Sequence, residues 1–261
     1  MTRIVYSGKV LKILLFAFTA AGAAAHGGEL AEDTGAWLQI VGEGSLKAVD
    51  PALAKGRVWL EGQSRFDGNW GHWYQGMVRS AVGYSLSDRA TIWAGYTWLP
   101  TQNIGKPYIA QQDIWPAFRY ILPTEIGTFT FRTMWETNFL RGDQVRERPR
   151  QMVKFMHPFD FEPRLSFIAW DEAFYRVNST DWGGKSGFDQ NRAFSGIGWN
   201  FDKNVRAELG YLNQYLDDAN HRDARCTIWA WRRCSSISER LAEGEAFFSV
   251  QNLNFFGTTP S

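Results

Sequence analysis

Charged side chains recur at alternate positions in several segments of this chain, where they could pair with one another or line a path for charged solutes. In residues 128–139, Arg132 and Glu136 share a face with threonine and asparagine, whereas phenylalanine and tryptophan dominate the opposite face. A period of two is that of a strand with one polar and one apolar face. The same alternation predicts thirteen residues that line a polar interior: Glu61, Arg65, Arg79, Asp113, Arg119, Arg132, Glu136, Arg148, Arg150, Lys154, Arg192, Arg206 and Glu208.

Two interpretations of this charged set are open. In the first, a ladder of ion pairs fills a narrow barrel, because barrels of about eight strands are filled by their own side chains. In the second, the excess of cations forms a small pore that prefers anions, because a cationic constriction lowers the barrier for negative solutes. Anion preference should then fall when Arg148 and Arg150 become glutamate. The solute itself stays unknown.

Aromatic residues in glycine-rich loops form a second candidate site. Trp70, His72 and Trp73 cluster around one predicted loop, and Trp182 lies in another. They could hold a ligand at the surface. A weaker alternative is a lipid-modifying barrel enzyme that uses His72, whereas His157 is expected to begin a short turn.

Catalytic and metal chemistry have little support in the sequence. No G-x-S-x-G motif occurs, and no spacing of His, Cys, Asp and Glu resembles a metal site. Asp171 and Glu172 are adjacent in a predicted strand, so they point to opposite faces and cannot share a proton. We therefore expect a protein without catalytic activity, cofactor or metal. The 28 Lys and Arg residues balance 27 Asp and Glu residues, which gives no reason to expect a nucleic-acid partner.

The elements that must position these residues are predicted strands, most of them long enough to cross a bilayer at about 9–11 residues. Tight turns at 85–88, 122–125 and 201–204 alternate with longer loops at 67–72, 101–108 and 179–187. This rhythm predicts an all-β fold, an antiparallel transmembrane up-and-down β-barrel of about 10–12 strands. The face of 164–177 is ambiguous. The predicted strands are 34–44, 56–66, 73–86, 89–99, 110–122, 125–140, 145–157, 163–177, 188–201 and 204–216.

Residues 1–25 have the pattern of a secretory signal peptide. A basic segment with Arg3, Lys9 and Lys12 precedes a short apolar stretch and the small residues 23–25. The apolar stretch is shorter than the roughly 20 residues that a spanning helix needs. We therefore expect export to the outer membrane, with residues 26–225 as the barrel domain. Outer-membrane lipid and the barrel-assembly machinery are the expected partners.

The tail, residues 226–261, departs from the strand pattern and contains both cysteines, Cys226 and Cys234. With one permitted choice of codons, a one-nucleotide shift of reading frame after Arg225 encodes an aromatic-rich strand followed by a stop. A frameshift would thus have replaced the last strand and left the barrel open. Two alternatives are a disulfide between the cysteines and a genuine extension in which 247–256 serves as a substitute strand.

A family resemblance rests on six stretches of the chain: Asp33–Trp37, Glu61–Arg65, Gly95–Tyr96, Trp170–Phe174, Asn191–Gly196 and Leu209–Tyr215. These stretches resemble an uncharacterised Gram-negative family of outer-membrane-like proteins that is classed as a domain of unknown function. The resemblance covers roughly residues 33–216 and implies a β-barrel without assigning an activity or any functional residue. Similar proteins end in a strand like the one in the shifted frame, so this sequence departs from the family pattern after Arg225.

Overall fold

The computed structural model describes residues 35–67, 71–140, 144–217 and the backbone of 245–253. Eleven β-strands occur in these ranges, and the ten predicted strands correspond to β1–β10 with ends that agree within two residues. The all-β prediction is therefore confirmed. The strands are β1 Ala36–Ser45, β2 Gly56–Asp67, β3 His72–Ser85, β4 Ala90–Thr101, β5 Ile109–Thr124, β6 Gly127–Phe139, β7 Val145–Phe159, β8 Glu162–Arg176, β9 Gly187–Asn200, β10 Arg206–Leu216 and β11 Glu245–Leu253.

The strands form a closed barrel in which each pairs with its neighbours in the chain, and β11 closes the gap between β10 and β1. Successive strands are antiparallel, but the closing pair is parallel, with Ala36 opposite Ala246 and Ile40 opposite Val250. An odd number of strands requires one such pair, because the first and last strands then run in the same direction. The prediction of an antiparallel up-and-down sheet is confirmed for β1–β10, and the parallel closing pair is a feature that the sequence did not reveal.

In the structure the tail supplies the closing strand, β11, whereas the frameshift hypothesis expected the chain as written to lack one. β11 overlaps the stretch 247–256 that was considered as a substitute strand. Cys226 and Cys234 lie outside the described residues, so the frameshift and the disulfide stay predictions.

The connections define two ends of the barrel. The turn end carries the short links 86–89, 125–126, 160–161 and 201–205, together with a longer link in which two 3-10 helices, Leu46–Ala48 and Pro51–Leu53, join β1 to β2. At the loop end the described connections are 102–108 and 177–186, and β2, β6 and β10 also end there. Two predicted placements are wrong, since His72 begins β3 instead of lying in a loop, and His157 lies within β7 instead of beginning a turn.

The outer surface of the barrel is apolar. Near the middle of their strands Ile40, Leu60 and Val78 are each about half exposed. Exposed aromatic residues lie nearer the ends: Phe139, Tyr175 and Tyr215 at the loop end, and Tyr84, Phe161 and Phe201 at the turn end. Aliphatic residues between two aromatic groups are typical of a surface that meets lipid.

Three tryptophans pack against one another inside the barrel, although the sequence analysis expected aromatic residues to face outward. Trp59 and Trp115 lie on the same alternating faces as the interior residues Glu61 and Asp113. The ring of Trp59 meets those of Trp93 and Trp115 edge to face, with centroids 5.5 and 5.8 Å apart. Trp115 fits because Gly95 on the neighbouring strand has no side chain. A Cβ there would lie 2.2 Å from the indole ring.

Candidate functional site

All thirteen residues that the sequence predicts for the interior lie on the wall of one cavity of about 580 Å³ inside the barrel. Among the residues that the structure describes, eleven Arg and Lys side chains line this cavity against six Glu and Asp, a formal excess of five positive charges. The described lining of the interior is thus rich in cations.

Four charged cavity residues are missing from the predicted set: Glu43, Arg57, Glu172 and Lys203. Glu43 and Arg57 follow the same alternation as Gln39 and Glu61, so the period of two could have revealed them. Glu172 lies in β8, whose face was ambiguous, and Lys203 lies in a turn that has no such period.

The centre of the cavity wall is an ion-paired cluster on β6, β7 and β8. Arg148 donates to Glu136 at 2.6 and 2.9 Å, and Arg150 donates to the same carboxylate at 2.7 Å. Arg150 also donates to both oxygens of Glu172 at 2.7 and 2.8 Å. Arg132 donates to Glu172 at 2.9 Å. These bonds fix the guanidinium groups in the interior and hold three strands in register.

Two smaller groups of ion pairs lie toward the turn end. Glu43 accepts hydrogen bonds from Arg57 at 2.6 Å and from Arg119 at 2.6 and 2.8 Å, which connects β1 to β5 across the interior. Lys154 donates to Glu208 at 2.7 and 2.9 Å. Much of the charged lining therefore has partners within the wall.

The cavity stops at a hydrogen-bonded group of buried polar residues near the loop end, called here the loop-end layer. Asp113 accepts from Gln111 and Asn138, each at 2.7 Å. Arg146 donates to Asn138 at 2.8 Å and to Gln111 at 3.3 Å. Gln75 donates to Thr101 at 2.9 Å. The layer consists of Gln75, Thr101, Gln111, Asp113, Asn138 and Arg146, all at most 5% exposed.

The exposure of the cavity side chains rises toward the turn end. Arg57 near that end has a side chain that is 32% exposed, whereas the side chains of Arg79 and Arg150 are 4% and 6% exposed. Lys203, in the turn between β9 and β10, is exposed and also lines the cavity. The cavity therefore opens at the turn end, and the loop-end layer forms its floor.

The aromatic loop candidates do not form one site in the described part of the chain. His72 contacts the carbonyl oxygen of Gln102 at 3.2 Å. Trp182 donates to the carbonyl oxygen of Gln144 at 3.2 Å and lies under the guanidinium of Arg146. Trp73 is 36% exposed, and Trp70 lies outside the described residues. The indole N–H of Trp182 thus already forms a hydrogen bond between the β8–β9 loop and Gln144, just before β7.

Asp171 and Glu172 point to opposite faces, as strand alternation requires. Asp171 accepts from Asn191 at 3.0 Å, and Glu172 lines the cavity. Within the described ranges, no group of three His, Cys, Asp or Glu residues could hold a metal ion. None of the helices in those ranges has the length and apolar character needed to span a bilayer.

The fold and cavity define a β-barrel with an apolar outer surface and a cation-rich interior. The chain belongs to the family described as "Protein of unknown function (DUF2490)", which matches residues 34–225. It is also similar to an uncharacterized protein of Methylorubrum extorquens, with 27% identity over 148 residues, which is 53% of this chain and 62% of that protein. This chain thus spans less than two thirds of that relative. No solved structure matches.

Proposed function

We propose that this protein is an exported outer-membrane β-barrel, without catalytic activity, that gives small anions a narrow path into its lumen. The observation that carries the proposal is the described part of the cavity lining, in which eleven cationic side chains face six acidic ones. A lumen with this excess favours negative solutes. The barrel would depend on the barrel-assembly machinery to reach the membrane.

The apolar outer surface supports the proposal that the barrel lies in lipid. Large apolar side chains such as Val78, Ile114 and Leu209 are each more than half exposed in the described strands. Soluble proteins seldom expose wide apolar surfaces. A closed barrel also satisfies the backbone groups that would otherwise be unpaired in hydrocarbon.

Planar-bilayer recording across a salt gradient tests the proposal, because the sign of the reversal potential reports which ion crosses more easily. Lys203 at the cavity mouth is the best position for a charge reversal. A glutamate at Arg148 or Arg150 would instead stand against the buried carboxylates of Glu136 and Glu172. We expect anion preference in the unmodified protein and a clear loss of it in Lys203→Glu.

The matched control is Lys185→Glu. Lys185 is exposed in the loop between β8 and β9 and does not line the cavity. The same change of charge at this position should leave the reversal potential unchanged. Cation preference in the unmodified protein, or equal effects of the two substitutions, would contradict the proposal.

A second candidate function is a plugged structural barrel. It is favoured by the loop-end layer, in which Asn138 and Gln75 are fully buried and hydrogen-bonded. Conduction requires this layer to open. If correctly folded protein gives no conductance at any voltage, the plugged barrel is the better description.

A further inference from the structure

Arg192 on β9 is a buried cation that makes no ion pair or hydrogen bond with the described residues, and its exposed fraction is 8%. Burying a charge without a partner is costly. By contrast, Arg148 and Arg150 on the cavity wall are each held by carboxylates. Glu172 lies opposite Arg192 in the pairing of β8 with β9 and attracts it electrostatically. The oxygens of Glu172 accept their hydrogen bonds from Arg132 and Arg150, however, so the guanidinium of Arg192 has no acceptor among the described residues.

The surroundings of Arg192 are rich in positive charge. Its guanidinium carbon lies 4.9 Å from the ring centre of Trp37, over which Arg65 also lies at 4.0 Å. It lies 4.7 Å from the ring of Phe174, over which Arg150 lies at 4.4 Å. Several guanidinium groups thus converge on two aromatic rings at the inner part of the cavity.

Two hydrogen-bond donors in this cluster are unused. The Nε atom of Arg192 and the Nε1 atom of Trp37 are both buried, and neither has a hydrogen-bond partner among the described residues. Both atoms are N–H donors and cannot satisfy each other. A carboxylate or phosphate would supply acceptor oxygens, and guanidinium groups suit such planar or branched anions well.

An apolar wall adjoins this cluster on the side of the turn end. Trp170 and Met156 line the cavity and pack against the buried group that contains Trp37 and Phe194. A bound molecule with its charge at Arg192 would place its remaining atoms against this wall, along the route to the mouth. The cavity volume of about 580 Å³ is within the usual range for a small organic ligand.

We propose that Arg192, Arg65 and Trp37 form a binding site for a small organic anion. Its carboxylate or phosphate contacts the guanidinium groups, and its apolar part lies against Trp170 and Met156. This site deepens the proposed function and rests on it, since the anion reaches the site through the cationic lumen.

Isothermal titration of the full chain, folded in detergent micelles, tests the site with benzoate as the probe. Benzyl alcohol has the same ring without the charge, and inorganic phosphate has the charge without the ring. We expect benzoate to bind at least about tenfold more tightly than either. Equal binding of benzyl alcohol would overturn the role of the charge, and equal binding of phosphate would overturn the role of the apolar wall.

Two substitutions locate the binding. Arg192→Gln should weaken benzoate binding by about tenfold to a hundredfold, the usual loss for a hydrogen bond to a charged group. Trp37→Phe keeps the ring and removes the N–H, so it should weaken binding by about twofold to tenfold. The control is Arg164→Gln, because Arg164 also lies over a tryptophan, Trp199, but is exposed and outside the cavity.

The folded fraction of each variant is read from its electrophoretic mobility before and after heating. Benzoate binding that is the same in Arg192→Gln as in the unmodified protein, or absent from the folded unmodified protein, would overturn the site. Binding and conduction are separate measurements. Benzoate binding without anion-selective conductance would reject conduction of anions across the barrel and keep the site. Anion-selective conductance without benzoate binding would reject the site alone.

Discussion

Replacing Glu136 with glutamine is expected to destabilise the barrel while making its lumen more cationic. The carboxylate accepts three hydrogen bonds of 2.6–2.9 Å from Arg148 and Arg150, and a guanidinium nitrogen of Arg79 lies 3.8 Å away. Glutamine has nearly the same shape but no charge. The substitution therefore removes the negative charge on which these cations converge and changes the packing little.

The expected loss in the free energy of unfolding depends on which carboxylate partners each arginine retains. Breaking a buried ion pair by removing one partner typically costs about 3–5 kcal/mol. Arg150 retains Glu172 at 2.7 Å, Arg148 retains Asp189 at 3.2 Å, and the amide oxygen of glutamine can still accept a hydrogen bond. We therefore expect a loss of about 3 kcal/mol in the free energy of unfolding, roughly a hundredfold in the unfolding equilibrium constant.

Urea unfolding in micelles, followed by the fluorescence of the interior tryptophans, measures this loss. Glu162→Gln is the control, because Glu162 pairs with Arg164 at the exposed turn end, and this change should have no measurable effect. In bilayers, Glu136→Gln should also shift the reversal potential further toward anions. A loss below about 1 kcal/mol, the level of a surface ion pair, would refute the view that this central cluster holds the strands together.

Two further predictions concern the two faces of the wall. Gly95→Ala should lower the free energy of unfolding by about 1–3 kcal/mol, because the added methyl group would overlap the ring of Trp115. Gly62→Ala is the control. No atom lies within 4 Å of the new Cβ, so this change should be neutral in the same urea assay. Val78→Arg places a charge on the outer face at the middle of β3. It should make the free energy of folding into lipid vesicles less favourable by about 2–4 kcal/mol. An unchanged free energy of folding would show that this face does not contact lipid.

The strand positions are predictable from sequence because the interior and the exterior of this barrel differ in chemistry along nearly the whole length of each strand. The segment predicted at 125–140 corresponds to Gly127–Phe139, and that at 204–216 corresponds to Arg206–Leu216. A period of two survives in such strands because successive side chains lie alternately in the polar interior and on the apolar outer surface of the barrel.

The face of a strand is not predictable when both of its faces carry the same kinds of residue. In β8, Asp171 and Glu172 are equally plausible interior residues on local grounds. Glu172 lies inside because Arg150 and Arg132, which are 22 and 40 residues away, donate hydrogen bonds to it. This pairing depends on the order of strands around the barrel, which a local pattern does not contain.

The inward-facing tryptophans show a second reason why the sequence does not predict every side-chain position. Trp93 shares its alternating face with Thr91, and Trp115 shares its face with Asp113, so the period of two is compatible with an interior position. The expectation that aromatic residues face outward fails for both. Their position is decided by glycines on adjacent strands, since a Cβ at Gly83 or Gly95 would lie 2.5 or 2.2 Å from the respective rings. Which glycine faces which tryptophan is fixed only by the register of the strands.

The parallel pairing of β1 with β11 has a consequence for the sidedness of the molecule. Both strands run from the loop end to the turn end, so the polypeptide enters the wall at one rim, next to Ala36, and leaves it at the other, next to Leu253. A barrel with an even number of strands would bring its two chain ends to the same rim. In this protein, labels attached beside Ala36 and Leu253 would report opposite sides of any membrane that the barrel crosses, within a single molecule.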